Sequence, residues 1–282
     1  MVERLNTMSL LFIEWNADPT IITLLGFPIR WYGLCFALAF LAGFQVVSYM
    51  FKKEGRPVEQ ADQLLLYTMV GTVAGARMGH YFFYEFPLLL ADPIRFFIQM
   101  ITPPFSGLAS HGAAIGLFTA FYLYTRKNKG QSYLYVTDRI VIAAALAGFF
   151  IRFGNLMNSE IIGKPTDLPW GFKFLRDYEF NPSGLAAFVV PRHPSQLYEA
   201  LSCLLLFFIL LYLWNLKKEK TPAGLLTGIF MIFVFTLRFF YEFLKENQSS
   251  FENNLTLNMG QMLSIPAVLF GIGVLWYAKR KA

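Results

Sequence analysis

Three arginines stand inside apolar runs of this 282-residue chain: Arg77, Arg152 and Arg238. In hydrocarbon a charged side chain of this kind costs about 2.5–3.5 kcal/mol on insertion scales, so each demands a partner, a cavity or a bound anion. The segment Arg152-Phe153-Gly154-Asn155-Leu156-Met157-Asn158-Ser159-Glu160-Ile161-Ile162-Gly163 adds amides and a carboxylate to the end of one such run. Arg152, Asn155 and Ser159 fall three and four apart and share one face of a continuing helix. Arg238 and Glu242, four apart, form either an intrahelical salt bridge or part of the same site. In Arg192-His193-Pro194-Ser195-Gln196-Leu197-Tyr198-Glu199 the proline suits a first helical turn, and Gln196 and Glu199 then face the same way. His111 opens a further apolar run, and an imidazole can accept a proton near neutral pH. Arginines gathered in an apolar setting suit an anion that itself lives in the membrane, such as a phospholipid headgroup. Arg77, flanked by Gly75, Ala76 and Gly79, fits a structural cation under close helix packing as well as it fits a site.

Other chemistries find less support. His80, His111 and His193 stand apart, and no His-x-x-x-His, Cys-x-x-Cys or acidic cluster has ligand spacing, so no metal or other cofactor is expected. Ser110 and Ser195 adjoin histidines, yet no Gly-x-Ser-x-Gly elbow accompanies them. Cys35 and Cys203 lie in apolar runs, where a small buried hydrophobe is the default.

The elements that must position these groups are membrane helices. With 56% hydrophobic and 15% charged residues, the chain is far more apolar than a soluble domain. Apolar segments at roughly 30–51, 63–86, 110–125, 134–156, 195–216, 223–244 and 259–278 each approach the ~20 residues that cross a bilayer. The expectation is an all-α, polytopic membrane protein of seven transmembrane helices, a single transmembrane domain over residues 1–282. Lys52, Lys53, Arg56, Arg126, Lys127, Lys129, Arg139, Lys217, Lys218, Lys220, Lys279, Arg280 and Lys281 all fall on one side. Those thirteen cations sit in four short segments, against eight spread over longer loops, which places the N-terminus outside and the C-terminus in the cytoplasm. The net charge of +6 is therefore mostly a topology signal and argues little for nucleic acid. The run Met8 to Ile13 is too short for a secretory signal peptide and is broken off by Glu14, so none is expected. Between spans four and five, residues 157–192 carry Trp170, Phe172, Phe174 and Tyr178 among prolines and charges and are expected to form a small extracytoplasmic head.

With the sides assigned, the polar anomalies converge. His111, the Arg152 segment, the His193–Glu199 run and the Arg238–Glu242 pair all fall in the outer half, which points to one outward-facing, arginine-rich pocket. The ordered blocks Arg30-Trp31-Tyr32-Gly33-Leu34, Gly75 to Gly79, His111 to Gly116, Arg152 to Gly163, Arg192 to Ala200, Arg238 to Phe243 and Asn258 to Pro266 resemble the bacterial phosphatidylglycerol–prolipoprotein diacylglyceryl transferases over nearly the whole chain. The resemblance implies transfer of the diacylglyceryl group of phosphatidylglycerol to the lipobox cysteine thiol of a preprolipoprotein. A thioether forms and glycerol phosphate leaves, at the bacterial cytoplasmic (inner) membrane with the active site facing the outer leaflet. It also implies that His111, Arg152 and Arg238 are catalytic and that Tyr32, Asn155, Glu160, Gly163 and Glu242 are further site residues. Arg77, Asn158, Gln196, Tyr198 and Glu199 complete the expected substrate-binding set. The chain departs from the family pattern at Ala113, Ile151 and Val234, and at Lys245-Glu246-Asn247-Gln248 where Arg-Glu-Pro-Asp is usual. A transporter or flippase of anionic lipids is the alternative, but it predicts polar residues reaching both leaflets and related halves. The sequence shows neither.

The charge asymmetry predicts that single cysteines placed within 165–192 react with a membrane-impermeant thiol reagent in intact spheroplasts, whereas those near Lys127 or Lys218 do not. The opposite labelling would reverse the orientation.

Overall fold

The computed structural model describes residues 12–102, 107–176, 189–246 and 256–281. The chain divides into two compact units, one of residues 46–139 and the other of residues 1–45 with 140–282. Its long helices are α1 (Trp31–Lys53), α2 (Val58–Tyr84), α5 (Ser110–Lys127), α6 (Tyr133–Met157), α7 (Ser195–Lys217), α8 (Leu225–Tyr241) and α9 (Met259–Lys281), with two short ones, α3 (Phe86–Ala91) and α4 (Pro93–Ile101). Five of the long helices, all but α2 and α5, are long and apolar enough to cross a membrane. The two that are not match the second and third expected spans. Gln60, Asp62, Gln63, Arg77 and His80 dilute the apolar run in α2, and α5 ends on Arg126-Lys127.

In the 46–139 unit, α2 and α5 meet backbone to backbone along Gly71, Gly75 and Gly79 on one side and Gly112 and Gly116 on the other. A Cβ on Gly75 would lie 2.5 Å from the Gly112 carbonyl oxygen, and one on Gly116 would lie 2.1 Å from that of Gly71. Only hydrogen fits there, and the close approach maximises dispersion contact where no hydrophobic effect operates. Helix α4 starts at Asp92, whose carboxylate accepts from the Arg95 N–H at 3.0 Å as an N-cap.

The start of α6 and the segment after α1 form a buried polar knot in the same unit. Arg139 donates through Nη2 to Glu54 Oε1 at 2.7 Å and through Nε to both Glu54 oxygens, while Tyr135 donates its hydroxyl to the same carboxylate. The guanidinium lies 3.6 Å from the Tyr135 ring centroid. Arg139 is fully buried, so it is a closed ion pair and not the solvated anchor that a basic loop suggests. A desolvated guanidinium persists only with such complete pairing.

The other unit holds short strands that an all-helical expectation leaves out. β1 (Ile13–Trp15) pairs in parallel with β4 (Phe172–Phe174), and β2 (Thr20–Leu24) pairs with β3 (Phe27–Arg30) as a hairpin. The β1–β4 ladder ties the segment before α1 to the segment after α6. Trp15 donates its indole N–H to the Leu156 carbonyl at 3.0 Å, over a core of Leu156, Ile162, Phe172 and Phe174. Residues 177–188 of the expected head, the run before Phe12 and Asn247-Gln248 lie outside the described residues. Helix α9 opens with a reciprocal cap: the Gln261 N–H donates to Asn258 Oδ1 at 2.9 Å and the Asn258 N–H to Gln261 Oε1 at 3.1 Å.

Gly75→Val should lower the stability of the detergent-solubilised protein by about 1–3 kcal/mol, the usual range for overpacking. A glycine with nothing near its missing Cβ, Gly33, should tolerate alanine without a shift in Tm.

Candidate active site

The end of α6 builds the site. Arg152 pairs through Nε with Glu199 Oε2 of α7, and its Nη1 donates to Asn155 Oδ1 at 3.4 Å. Asn155 and Asn158 then both donate to Glu160, at 3.2 and 3.1 Å, which orients the carboxylate. Tyr32, in the first turn of α1, packs on the same stretch of α6: a Cβ on Gly154 would lie 3.1 Å from its ring.

Beyond Met157 the chain turns through Ser159 (φ 54°) and Ile161 (φ 56°), two residues with side chains in the left-handed region. For β-branched Ile161 that conformation is strained. The first turn of α7 and the residues before it hold it in place. The Gln196 amide donates to the Glu160 carbonyl at 2.5 Å, Ser195 Oγ to the Ile161 carbonyl at 2.8 Å, and the Gly163 N–H to the His193 carbonyl at 3.0 Å. Gly163 fits because a Cβ there would meet His193 Cβ at 2.5 Å and the Leu244 carbonyl oxygen at 2.8 Å. Gln196 therefore braces the loop through its amide, and Gly163 contributes through the absence of a side chain.

From Glu199 the ionic contacts continue. Lys245 Nζ pairs with Glu199 Oε1 and lies 3.4 Å from Glu242 Oε1. Glu242 in turn faces Arg238 Nε at 3.7 Å and accepts from the Asn258 amide at 3.1 Å. The Arg238–Glu242 contact is thus more than an intrahelical pair. It closes an alternating series, Arg152–Glu199–Lys245–Glu242–Arg238, that joins α6, α7, α8 and the cap of α9. Lys245 is 3% exposed and both glutamates are largely buried, whereas the Arg238 side chain is 45% exposed and that of Arg152 28%. The interior members are consumed by one another, and the two arginines at the ends keep accessible surface.

That surface opens on a cleft of about 260 Å³ between α6, α7 and α8. Arg152, Glu199, Arg238 and Tyr241 line one end. Two turns along the helices the wall is apolar, with Ala144, Gly148, Leu206, Phe230 and Phe233 among its residues. A cleft with cations at one end and hydrocarbon along its length has the polarity of a phospholipid. Beside it stands an aromatic cluster: the Trp170 indole donates to the Tyr198 hydroxyl at 2.9 Å, His193 Nδ1 lies 3.3 Å from the same oxygen, and Tyr241 and Ser202 hydroxyls meet at 2.5 Å. Burial pushes the His193 imidazole below its usual pKa, so the ring beside Tyr198 stays neutral to lower pH than a free histidine.

Of the residues singled out in the sequence, this unit joins Tyr32, Arg152, Asn155, Asn158, Glu160, Gly163, Gln196, Tyr198, Glu199, Arg238 and Glu242. The 46–139 unit carries the remaining two, His111 and Arg77. The His111 ring stacks on Phe83 at 5.8 Å, with Tyr84 edge-on at 6.3 Å. Arg77 is buried and directed at backbone: its Nη2 donates to the Gln99 carbonyl at 2.7 Å and its Nε to that of Met100 at 3.0 Å, with the Tyr81 ring 4.7 Å away. It thereby satisfies the last carbonyls of α4, where the helix dipole favours a cation. Sequence reasoning missed Lys245, Ser202 and Tyr241. Tyr241 lies within the Arg238 block, while nothing local to Lys245 marks a lysine that folding buries.

A family model described as prolipoprotein diacylglyceryl transferase matches residues 19–277. The phosphatidylglycerol–prolipoprotein diacylglyceryl transferase of Tolumonas auensis is 44% identical over 269 residues, covering 95% of this chain and 98% of the relative. A protein of the same name from Bacteroides fragilis is 40% identical over 289 residues, with 97% and 98% covered, and one from Chloroherpeton thalassium is 41% identical over 272 residues, with 96% of each covered.

Since the Arg77 guanidinium is spent on carbonyls, Arg77→Lys should lower Tm while leaving turnover per folded molecule within about twofold of wild type. Loss of hydrogen bonds from a charged donor is worth roughly 1.5–3 kcal/mol. A stable variant without activity would place Arg77 in the site.

Proposed function

The chain belongs to the prolipoprotein diacylglyceryl transferase family, and from that premise we propose that its arginine-ended cleft holds phosphatidylglycerol and transfers the diacylglyceryl group to the lipobox cysteine of an exported preprolipoprotein. The observation that carries this reading is the placement of Arg152 and Arg238 at the polar end of an otherwise apolar cleft. The acyl chains lie along the Ala144–Phe233 wall, and the phosphodiester meets the accessible guanidinium nitrogens. Arg152 enters this contact already oriented, because Glu199 fixes its Nε and Asn155 one Nη.

The reaction is a displacement at carbon. The thiolate sulfur attacks the terminal glycerol carbon that carries the phosphate, a C–S bond forms, and the C–O bond breaks with its electron pair going to the phosphate oxygen. The departing glycerol phosphate gains a negative charge, so donors placed at that oxygen stabilise the transition state more than the bound lipid. A thiol of pKa about 8.5 must first lose its proton. His111, the remaining expected catalytic group, is the proposed acceptor of that proton. Asn155, Asn158, Glu160 and Tyr32 orient the glycerol head and Arg152, and the aromatic cluster of Tyr198, His193 and Trp170 receives the peptide.

The proposed setting is a bacterial cytoplasmic membrane crossed seven times by one transmembrane domain, N-terminus outside, with the cleft facing the outer leaflet and residues 157–192 forming the head. The basic segments of the sequence and the gathering of Arg152, Glu199 and Arg238 at one set of helix ends support this orientation.

Purified protein mixed with phosphatidylglycerol and a lipobox peptide should yield a thioether-linked diacylglyceryl peptide, read by mass. Arg152→Lys and Arg238→Lys should each lower the rate by about 10²–10³-fold, because lysine keeps the charge and loses the planar two-pronged grip. No thioether product from the wild type would refute the assignment. Near-normal rates in both variants would show that charge alone suffices.

A further inference from the structure

Lys245 is the buried centre of the ionic series, and we propose that it acts as a positioning residue that sets the charge of the cleft to match one phosphodiester. This rests on the phosphate-binding reading of the cleft.

Lys245 does not line the cleft, is 3% exposed, and reaches both Glu199 and Glu242 with one ammonium group. Those two carboxylates are the partners of the two arginines. The series therefore contains three cations and two anions and carries one net positive charge. Phosphatidylglycerol brings one negative charge on its phosphodiester, and the complex is neutral. That balance counts the members of the buried ionic series, from Arg152 to Arg238. Glu160 is exposed to solvent and held by the Asn155 and Asn158 amides, and Arg192 and Glu246 neutralise each other at 2.6 Å.

Without the lysine charge, two arginines would face two carboxylates. The series would be neutral on its own, and each carboxylate, released from the ammonium, would be free to cover the guanidinium surface that the phosphate needs. Entry of an anion into a water-poor cleft would then leave an uncompensated charge. The lysine thus keeps Glu199 and Glu242 turned away from the terminal nitrogens, while Glu199 still fixes the Arg152 Nε and Glu242 faces that of Arg238 at 3.7 Å. One point charge can serve both carboxylates because an ammonium has three donors at a single atom, and the site needs no forked geometry there.

The test compares binding of phosphatidylglycerol and of uncharged diacylglycerol to the purified full-length protein in mixed micelles, with transfer kinetics alongside. Lys245→Met, which keeps length and removes charge, should reduce the preference for phosphatidylglycerol over diacylglycerol at least tenfold and raise KM for phosphatidylglycerol, with diacylglycerol binding unchanged. Lys245→Arg should restore most of the preference. Glu199→Gln combined with Lys245→Met returns the net charge to plus one and leaves no unpaired buried carboxylate. The double variant should regain phosphatidylglycerol preference and remains informative if Lys245→Met alone does not fold. A Lys245→Met protein with wild-type preference, equal weakening of both lipids, or a double variant no better than the single would overturn the inference. Failure of the wild type to prefer phosphatidylglycerol or to transfer would instead overturn the reading on which it rests.

Discussion

A guanidinium in hydrocarbon must be paired, and the manner of pairing sorts the arginines of this chain by task. Arg139 is fully consumed by Glu54 and by the face of Tyr135, and it has no surface left for a ligand. Arg77 is directed at backbone carbonyls and terminates α4. Arg152 and Arg238 are paired mainly through Nε, and both reach the cleft. Only this last kind of pairing leaves charged donors available while still meeting the cost of desolvation. The folded arrangement of α6 to α9 serves that requirement, since Glu199 comes from the start of α7, Glu242 and Lys245 from the end of α8, and Asn258 from the cap of α9.

Much of the fold was legible in the sequence because apolar runs and capping residues mark helix limits. The run expected at 134–156 is α6 over Tyr133–Met157, and the one expected at 259–278 is α9 over Met259–Lys281. Pro194 and Asn258 mark the starts of α7 and α9. Helix α2 begins at Val58, five residues before the apolar run, because its first turns carry Glu59, Gln60, Asp62 and Gln63, which an apolar-run criterion leaves out. The strands were not legible: three-residue ladders such as β1–β4 pair segments that lie far apart, and no alternation long enough to register marks them.

The candidate site divides the same way. Arg152 and Asn155 are three apart within α6, so helical spacing gives their common face, whereas Ser159 and Glu160 lie past the end of that helix and are placed by the turn. The Glu199–Lys245 contact joins residues of two helical regions with no shared periodicity, and a lysine beside a helix end reads as a solvated charge until the fold buries it. Arg139 illustrates the converse, since it reads as a topology marker and is a buried half of an ion pair. Gly163 was found through its block, yet its reason is geometric: Ile161 and Ser159 turn the chain so tightly that His193 and Leu244 occupy the space of a side chain.

The cap of α9 carries a consequence for biosynthesis. Asn258 both starts that helix and donates to Glu242, and Gly260 in its first turn leaves room for the same carboxylate, where a Cβ would come within 2.6 Å. The group that faces Arg238 and Lys245 thus acquires a neutral partner from a segment translated after α1 to α8. During insertion into the membrane the emerging polypeptide has its arginines before it has the complete set of groups that orders them. Assembly of this ionic series accordingly waits for delivery of α9.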